Sequence, residues 1–175
     1  KDIEEIFQMV AGWDVDGVIA ISFSKSNCEK IYQLINKPIV SIDAYGELDA
    51  GQENHVLNIG LDDESGGYLM TKYLLECGYE HIQVCAGRDN GVDHFRYMGA
   101  QRAAKEFAGK KQKVQFTALG MNYAKRKESY AWLIQRKKPK TALFFLSDLY
   151  ALEAISFFSS RGVKIPEEIG IAGYD

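Results

Sequence analysis

The 175-residue sequence is 46% hydrophobic, carries a net charge of -3 at pH 7 and has a pI near 5.7. That composition fills a globular core, excludes a disordered chain, and lacks the basic excess with which a protein holds nucleic-acid phosphates. Its apolar runs are too short to span a bilayer and its opening, KDIEEIFQMV, is not a signal peptide. A soluble protein without membrane contact is therefore expected, and one whose natural start lies upstream, because the first residue is Lys1 rather than Met.

Short β-rich runs alternate with amphipathic helical ones from end to end. In chain order the pattern predicts a helix over 3–11, a strand over 15–22, a helix over 28–35 and strands over 38–43 and 55–62. It continues with a helix over 64–77, a strand over 81–87, a helix over 95–108, a strand over 113–120 and a helix over 125–137. A strand over 141–148, a helix over 149–161 and a strand over 169–175 complete it. Runs such as GVIAI and ALFFL are almost wholly apolar, as expected of parallel strands covered on both faces. Glycines at 78, 109 and 162 and prolines at 38 and 139 supply helix stops. The fold class is α/β with parallel sheets.

The strands over 38–43 and 55–62 are joined by AYGELDAGQENH, which holds no helix. A parallel crossover normally uses one, so these strands are expected either as antiparallel neighbours or in different sheets; the second reading is favoured and puts the boundary between two lobes near 59–62. The first lobe would take residues 1–60 and the second 61–175.

Ligands of open parallel sheets bind beyond the carboxyl ends of the strands. Polar residues at predicted strand ends are therefore candidates: Ser22, Asp43, Ser147 with Asp148, and Asp175, the last residue of EIGIAGYD. Asp148 also suits the N-cap of the helix behind it. Arg96, near the start of HFRYMGAQRAAKEF, offers a fixed fork of donors for hydroxyls or a carboxylate; a surface ion pair is its plainer reading. The repeat predicts that Phe95, Met98, Ala103 and Phe107 are partly buried beside it.

Cys28, Cys77 and Cys85 are odd in number and form no CxxC pair, which fits a reducing cytoplasm. Cys77, His81 and Cys85 fall four apart, yet Gly78 and the strand HIQVC deny them one helical face, so buried cysteines are the better reading and no metal or cofactor is expected. The basic clusters GKKQK (109–113) and RKKPK (136–140) sit at helix ends and read as solvated surface. Phosphate loops, dinucleotide fingerprints and nucleophile elbows are absent from the sequence, so no enzymatic activity is expected.

The runs DVDGVIAIS, KPIVSID, GLDDESGGYLMTKYLLECGYEHIQVCAG, FRYMGAQRA and KPKTALFFLSDLYALEAISFFSSRGVKIPEEIGIAGYD together resemble, in order and over nearly the whole chain, the effector-binding core of the LacI/GalR family of bacterial transcription regulators. The resemblance implies two periplasmic-binding-protein-like lobes, each a parallel sheet flanked by helices, around a small effector, with a sugar expected. It also implies a homodimer that reaches DNA through a separate helix-turn-helix headpiece. By the same resemblance Asp175 and Arg96 contact the ligand, Ser147 stands beside them, and Ser22 and Asp43 face the cleft from the first lobe. Where many relatives carry a stacking aromatic, this chain has Asn122, followed by Tyr123. Compared with the family, the sequence lacks the headpiece, the start of the first lobe and everything after Asp175. The same lobes also occur in extracytoplasmic sugar-binding proteins of transporters, and strand-end carboxylates such as Asp43 and Asp175 occur as bases or nucleophiles in α/β enzymes. Those are the competing readings.

Overall fold

The computed structural model describes residues 3–44, 55–88, 91–107 and 112–174, and the chain divides into two compact units, Lys1–Leu61 and Asp62–Asp175. In the first unit, strands β1 (Val18–Ile21), β2 (Ile39–Ile42) and β3 (Val56–Ile59) form one parallel sheet in the order β1-β2-β3. Helices α1 (Ile3–Gly12) and α2 (Lys25–Ile35) carry the rest of this unit's core, in which Phe7, Cys28 and Ile31 join Ala20, Ile39 and Val56 of the strands. Ser24 starts α2 by accepting a hydrogen bond from Asn27 N at 3.2 Å, and Asn36 ends it in the left-handed region, its N–H donating to Tyr32 O at 2.7 Å.

The pairing of β2 with β3 corrects the expectation that these strands lie in different sheets: they are parallel neighbours, Ile39 opposite Val56 and Ile42 opposite Ile59. The reason is length. Four-residue strands need little return distance, and residues 43–55, at roughly 3.4 Å each when extended, reach about 40 Å without any helix. The opposite face of this sheet carries two apolar rows, Ile19, Val40 and Leu57, then Ile21, Ile42 and Ile59. Ile19 and Leu57 are 71% and 65% exposed, so within this unit the described residues cover only one side of the sheet.

The second unit is a parallel sheet in the order β5-β4-β6-β7, built from β4 (His81–Ala86), β5 (Lys113–Ala118), β6 (Thr141–Phe145) and β7 (Gly170–Ala172). On one face, α3 (Asp63–Glu76) and α4 (Val92–Glu106) bury Leu74, Leu75 and Ala100 against Ile82, Val84, Ala142 and Phe144. On the other, α5 (Tyr123–Arg136) and α6 (Asp148–Ser159) bury Tyr130, Leu133, Ala154 and Phe158 against Cys85, Leu143 and Phe145. Every residue of β6 is therefore buried, which is why TALFF shows no alternation. Gly78 and Gly162, with φ of 91° and 72°, turn the chain after α3 and α6 as predicted; Gly109 lies outside the described residues.

Helices α3 and α4 approach closely because of two glycines. A Cβ on Gly67 would lie 1.9 Å from Arg96 O, and one on Gly99 would lie 1.9 Å from Glu64 O. This contact corrects half of the predicted buried stripe of α4: Ala103 is buried and Phe107 partly so, as expected, but Phe95 and Met98 are not. Arg96, Gly99, Ala100 and Ala103 face inward, whereas Phe95 and Met98 are exposed. Small residues let backbone meet backbone, and the larger apolar side chains are displaced to the outside.

Candidate effector site

The sheet order of the second unit sets the location. From β4 the chain crosses outward to β5, then returns past β4 to β6, so the order reverses between β4 and β6. At such a switch point the loops leave in opposite directions and open a crevice at the carboxyl ends of the strands. Arg96 is planted there. Its Nε donates to Asp63 Oδ1 at 2.8 Å, its Nη1 donates to Leu146 O at 3.2 Å just past β6, and its guanidinium carbon lies 4.2 Å from the centre of the Tyr174 ring beyond β7. Asp93 Oδ1 stands 3.8 Å from Nη1. With 6% exposure, Arg96 belongs to a buried ion pair rather than the surface pair considered above.

Ser147, next to Leu146, is the N-cap of α6 in extended conformation and makes no side-chain capping bond. This corrects the capping assignment of Asp148, which is the first residue of the helix; its carboxylate abuts Gly173, where an added Cβ would lie 2.0 Å from Oδ1. Asn122 is the N-cap of α5, its Oδ1 accepting from Lys125 N at 2.9 Å, and Tyr123 behind it is half-exposed. Asp175 lies outside the described residues.

Several residues at this end carry no signal in the sequence. Met121 Sδ and Tyr150 Oη close over Gly87 at the end of β4; a Cβ there would lie 3.0 Å and 3.2 Å from them. Both are held by Arg126, whose Nη1 donates to Met121 O at 2.9 Å and whose guanidinium stacks 4.6 Å from the Tyr150 ring centre. Arg126 is fixed in turn by a two-point bond to Glu153, Nε to Oε2 at 2.7 Å and Nη2 to Oε1 at 2.8 Å, and Tyr130 Oη adds a third bond to Glu153 at 3.1 Å. Arg126 holds the Glu153 carboxyl below the usual range, while burial, then the Glu153 bond, push the Tyr130 phenol up. Asp63 and Tyr174, which position Arg96, were equally unmarked: an acidic residue in a first helical turn reads as dipole complementarity.

In the first unit Ser22 and Asp43 occupy the carboxyl ends of β1 and β2, both with positive φ, 56° and 52°. Non-glycine residues in this region cost about 1–2 kcal/mol and gather at functional sites. Ser22 N donates to Ile42 O and Asp43 N to Ile59 O, each at 2.9 Å, and Asp43 Oδ1 accepts from Leu61 N at 3.2 Å. Asn58, a polar residue inside the run HVLNIG, accepts from Ser41 Oγ at 2.8 Å and from Ala44 N at 3.0 Å.

Cys77 is exposed at the end of α3, and Cys85 is fully buried, which pushes its thiol well up. Among the described residues no group of three His, Cys, Asp or Glu could hold a metal ion, and no helix is long and apolar enough to cross a membrane.

The sequence profile of the periplasmic binding protein-like domain matches residues 71–175. This chain belongs to that family. The HTH-type transcriptional repressor PurR of Haemophilus influenzae is 35% identical over 183 aligned residues, covering all of this chain and 51% of the repressor. The chain thus spans about half the length of the curated relatives it matches. Two solved structures share the fold. The transcriptional regulator CelR–cellobiose complex has a TM-score of 0.75 and 24% identity over 99% of this chain and 53% of that one. A LacI family regulator from Enterococcus faecium with bound ribose has a TM-score of 0.77 and 21% identity over 100% of this chain and 63% of that one.

Proposed function

We propose that this domain is the sensor region of a cytoplasmic, homodimeric transcription regulator of the LacI/GalR type. It binds a small polyhydroxylated effector, a sugar or a close derivative, and thereby changes the grip of a DNA-binding headpiece. The single observation that carries the reading is Arg96 at the switch point, held by Asp63, Leu146 O and Tyr174. A guanidinium braced from three sides presents its donors with little ordering cost on binding, and adjacent hydroxyls are natural acceptors for it. Asp175 would accept from other hydroxyls of the same ligand, Ser147 would stand beside them, and Tyr123, next to the capping Asn122, would offer the ring face. Ser22 and Asp43, at the carboxyl ends of the first unit's strands, are further candidates for ligand contact. The cellobiose and ribose complexes of structural relatives, and the repressor names of the sequence relatives, support regulator and sugar over a transporter subunit or an enzyme.

In mechanism, a ligand that binds one arrangement of the protein better than another raises the population of that arrangement, and this population sets the affinity for DNA. The test uses the full-length protein on DNA fragments selected by it from its own genome, followed by fluorescence anisotropy. The expected result is salt-sensitive binding whose affinity changes at least about fivefold on adding one sugar class. A full-length protein that is secreted, or that has no DNA affinity with or without sugars, would overturn the regulator reading.

A further inference from the structure

At the amino end of the second unit's sheet, opposite the effector site, a cavity of 330 Å³ opens between α5 and the β4–β5 edge. Its floor breaks the rule for a covered sheet face. Ile82, Val84, Val114 and Phe116 point to the α3–α4 core, but the alternate residues are His81 and Gln83 of β4 and Lys113, Gln115 and Thr117 of β5. Gln83 is locked in place: its Nε2 donates to Gln115 Oε1 at 3.1 Å and its Oε1 accepts from Thr117 Oγ1 at 2.9 Å. The walls are the end of α5 and the RKKPK stretch, with Trp132, Arg136, Lys137 and Lys138. Arg136 stacks 5.0 Å from a ring centre of Trp132, and Lys137 is paired with Glu168.

Among the described residues, Lys113, Arg136 and Lys138 have no carboxylate partner, and no carboxylate lines the cavity. Lys113, Arg136 and Lys138 thus converge, together with His81, on a floor of oriented amides, beside an indole face. Surface cations at the end of a helix are ordinary, but a concave hydrogen-bonded amide floor between them is not. Such an arrangement concentrates anions, and amide groups that both donate and accept match hydroxyls. The volume is at the lower end for small-molecule sites, about 300–1,000 Å³, which suits a metabolite of monosaccharide size.

We infer that this cavity is a second binding site, separate from the effector site, for a sugar phosphate. The phosphate sits among Lys113, Arg136 and Lys138, and the sugar hydroxyls meet Gln83 and Gln115. The test is isothermal titration calorimetry on the full-length protein with glucose 6-phosphate, ribose 5-phosphate, the parent sugars and inorganic phosphate. Arg136→Gln/Lys138→Gln serves as the variant, because both side chains are exposed and their exchange leaves the core alone. At least one sugar phosphate is expected to bind, at least about tenfold more tightly than its parent sugar or inorganic phosphate, and the double variant to weaken it by about tenfold or more. Binding unchanged in the double variant would place the ligand elsewhere. Absence of binding by either sugar phosphate at millimolar concentration, or inorganic phosphate binding as tightly as the sugar phosphates, would equally overturn the assignment.

Discussion

Gly99→Ala is expected to destabilise the protein by about 3 kcal/mol or more, an effect that only Gly67→Ala at the same crossing should match. The methyl would have to occupy space 1.9 Å from Glu64 O and 2.8 Å from Tyr68 N, and both obstacles are helix backbone that cannot rotate away. Relief requires α3 and α4 to separate. Separation would strain the bonds the close crossing permits, Arg96 to Asp63 and Arg102 to Glu64 at 3.2 Å, so effector affinity should fall along with stability. Gly12→Ala is the control: a Cβ there meets nothing within 4 Å at the end of α1, and the substitution should be neutral or gain up to about 1 kcal/mol. Urea unfolding of the full-length protein measures both. A Gly99→Ala protein as stable as the wild type would show that the helices do not cross at this distance.

Removing the Glu153 carboxylate has the second largest expected effect. Glu153→Ala leaves Arg126 covered, charged and without its two-point partner, and deprives Tyr130 Oη of one acceptor, a loss of about 3 kcal/mol. The pH dependence follows from the sign of the shift. The carboxyl of Glu153 titrates below its ordinary 4.5 in the folded protein, so its contribution is fully present above about pH 4.5 and is lost as pH falls through the lowered value. The stabilities of wild type and Glu153→Ala should accordingly differ at pH 7 and converge in acid. A difference that stayed constant down to pH 3 would mean that packing, rather than the ion pair, carries the effect.

Among the described residues the seven strands and six helices were legible because each obeys one period over enough residues, and their ends disagreed by only a few residues. The pairing of β2 with β3 was not legible, because short strands relax the need for a helical crossover and composition does not reveal that. The orientation of α4 was hidden for a different reason. Hydrophobic periodicity assumes that the largest apolar residues turn inward, whereas at Gly67 and Gly99 backbone-to-backbone contact decides how the helices meet and turns Phe95 outward. At the effector site, Arg96 and Ser147 could be proposed from strand and helix ends, but their supports could not. Asp63 reaches Arg96 across 33 positions and Glu153 reaches Arg126 across 27, contacts that only the fold brings about. In the same way RKKPK reads as a solvated helix end until Gln83 and Gln115 are seen beside it.

The most direct test of the account is a thermal-shift measurement on the full-length protein with the sugar that alters its DNA binding, comparing wild type, Arg96→Lys and Asp175→Asn. Arg96→Lys keeps a positive charge beside Asp63 but loses the planar fork, and Asp175→Asn keeps shape but loses the charge. At about a hundredfold excess over its dissociation constant the sugar should add about 2.7 kcal/mol to wild-type stability. Both variants should fold and lose most of that gain. A shift that survives undiminished in both would contradict the account, because the effector would then bind away from Arg96 and the switch point it marks.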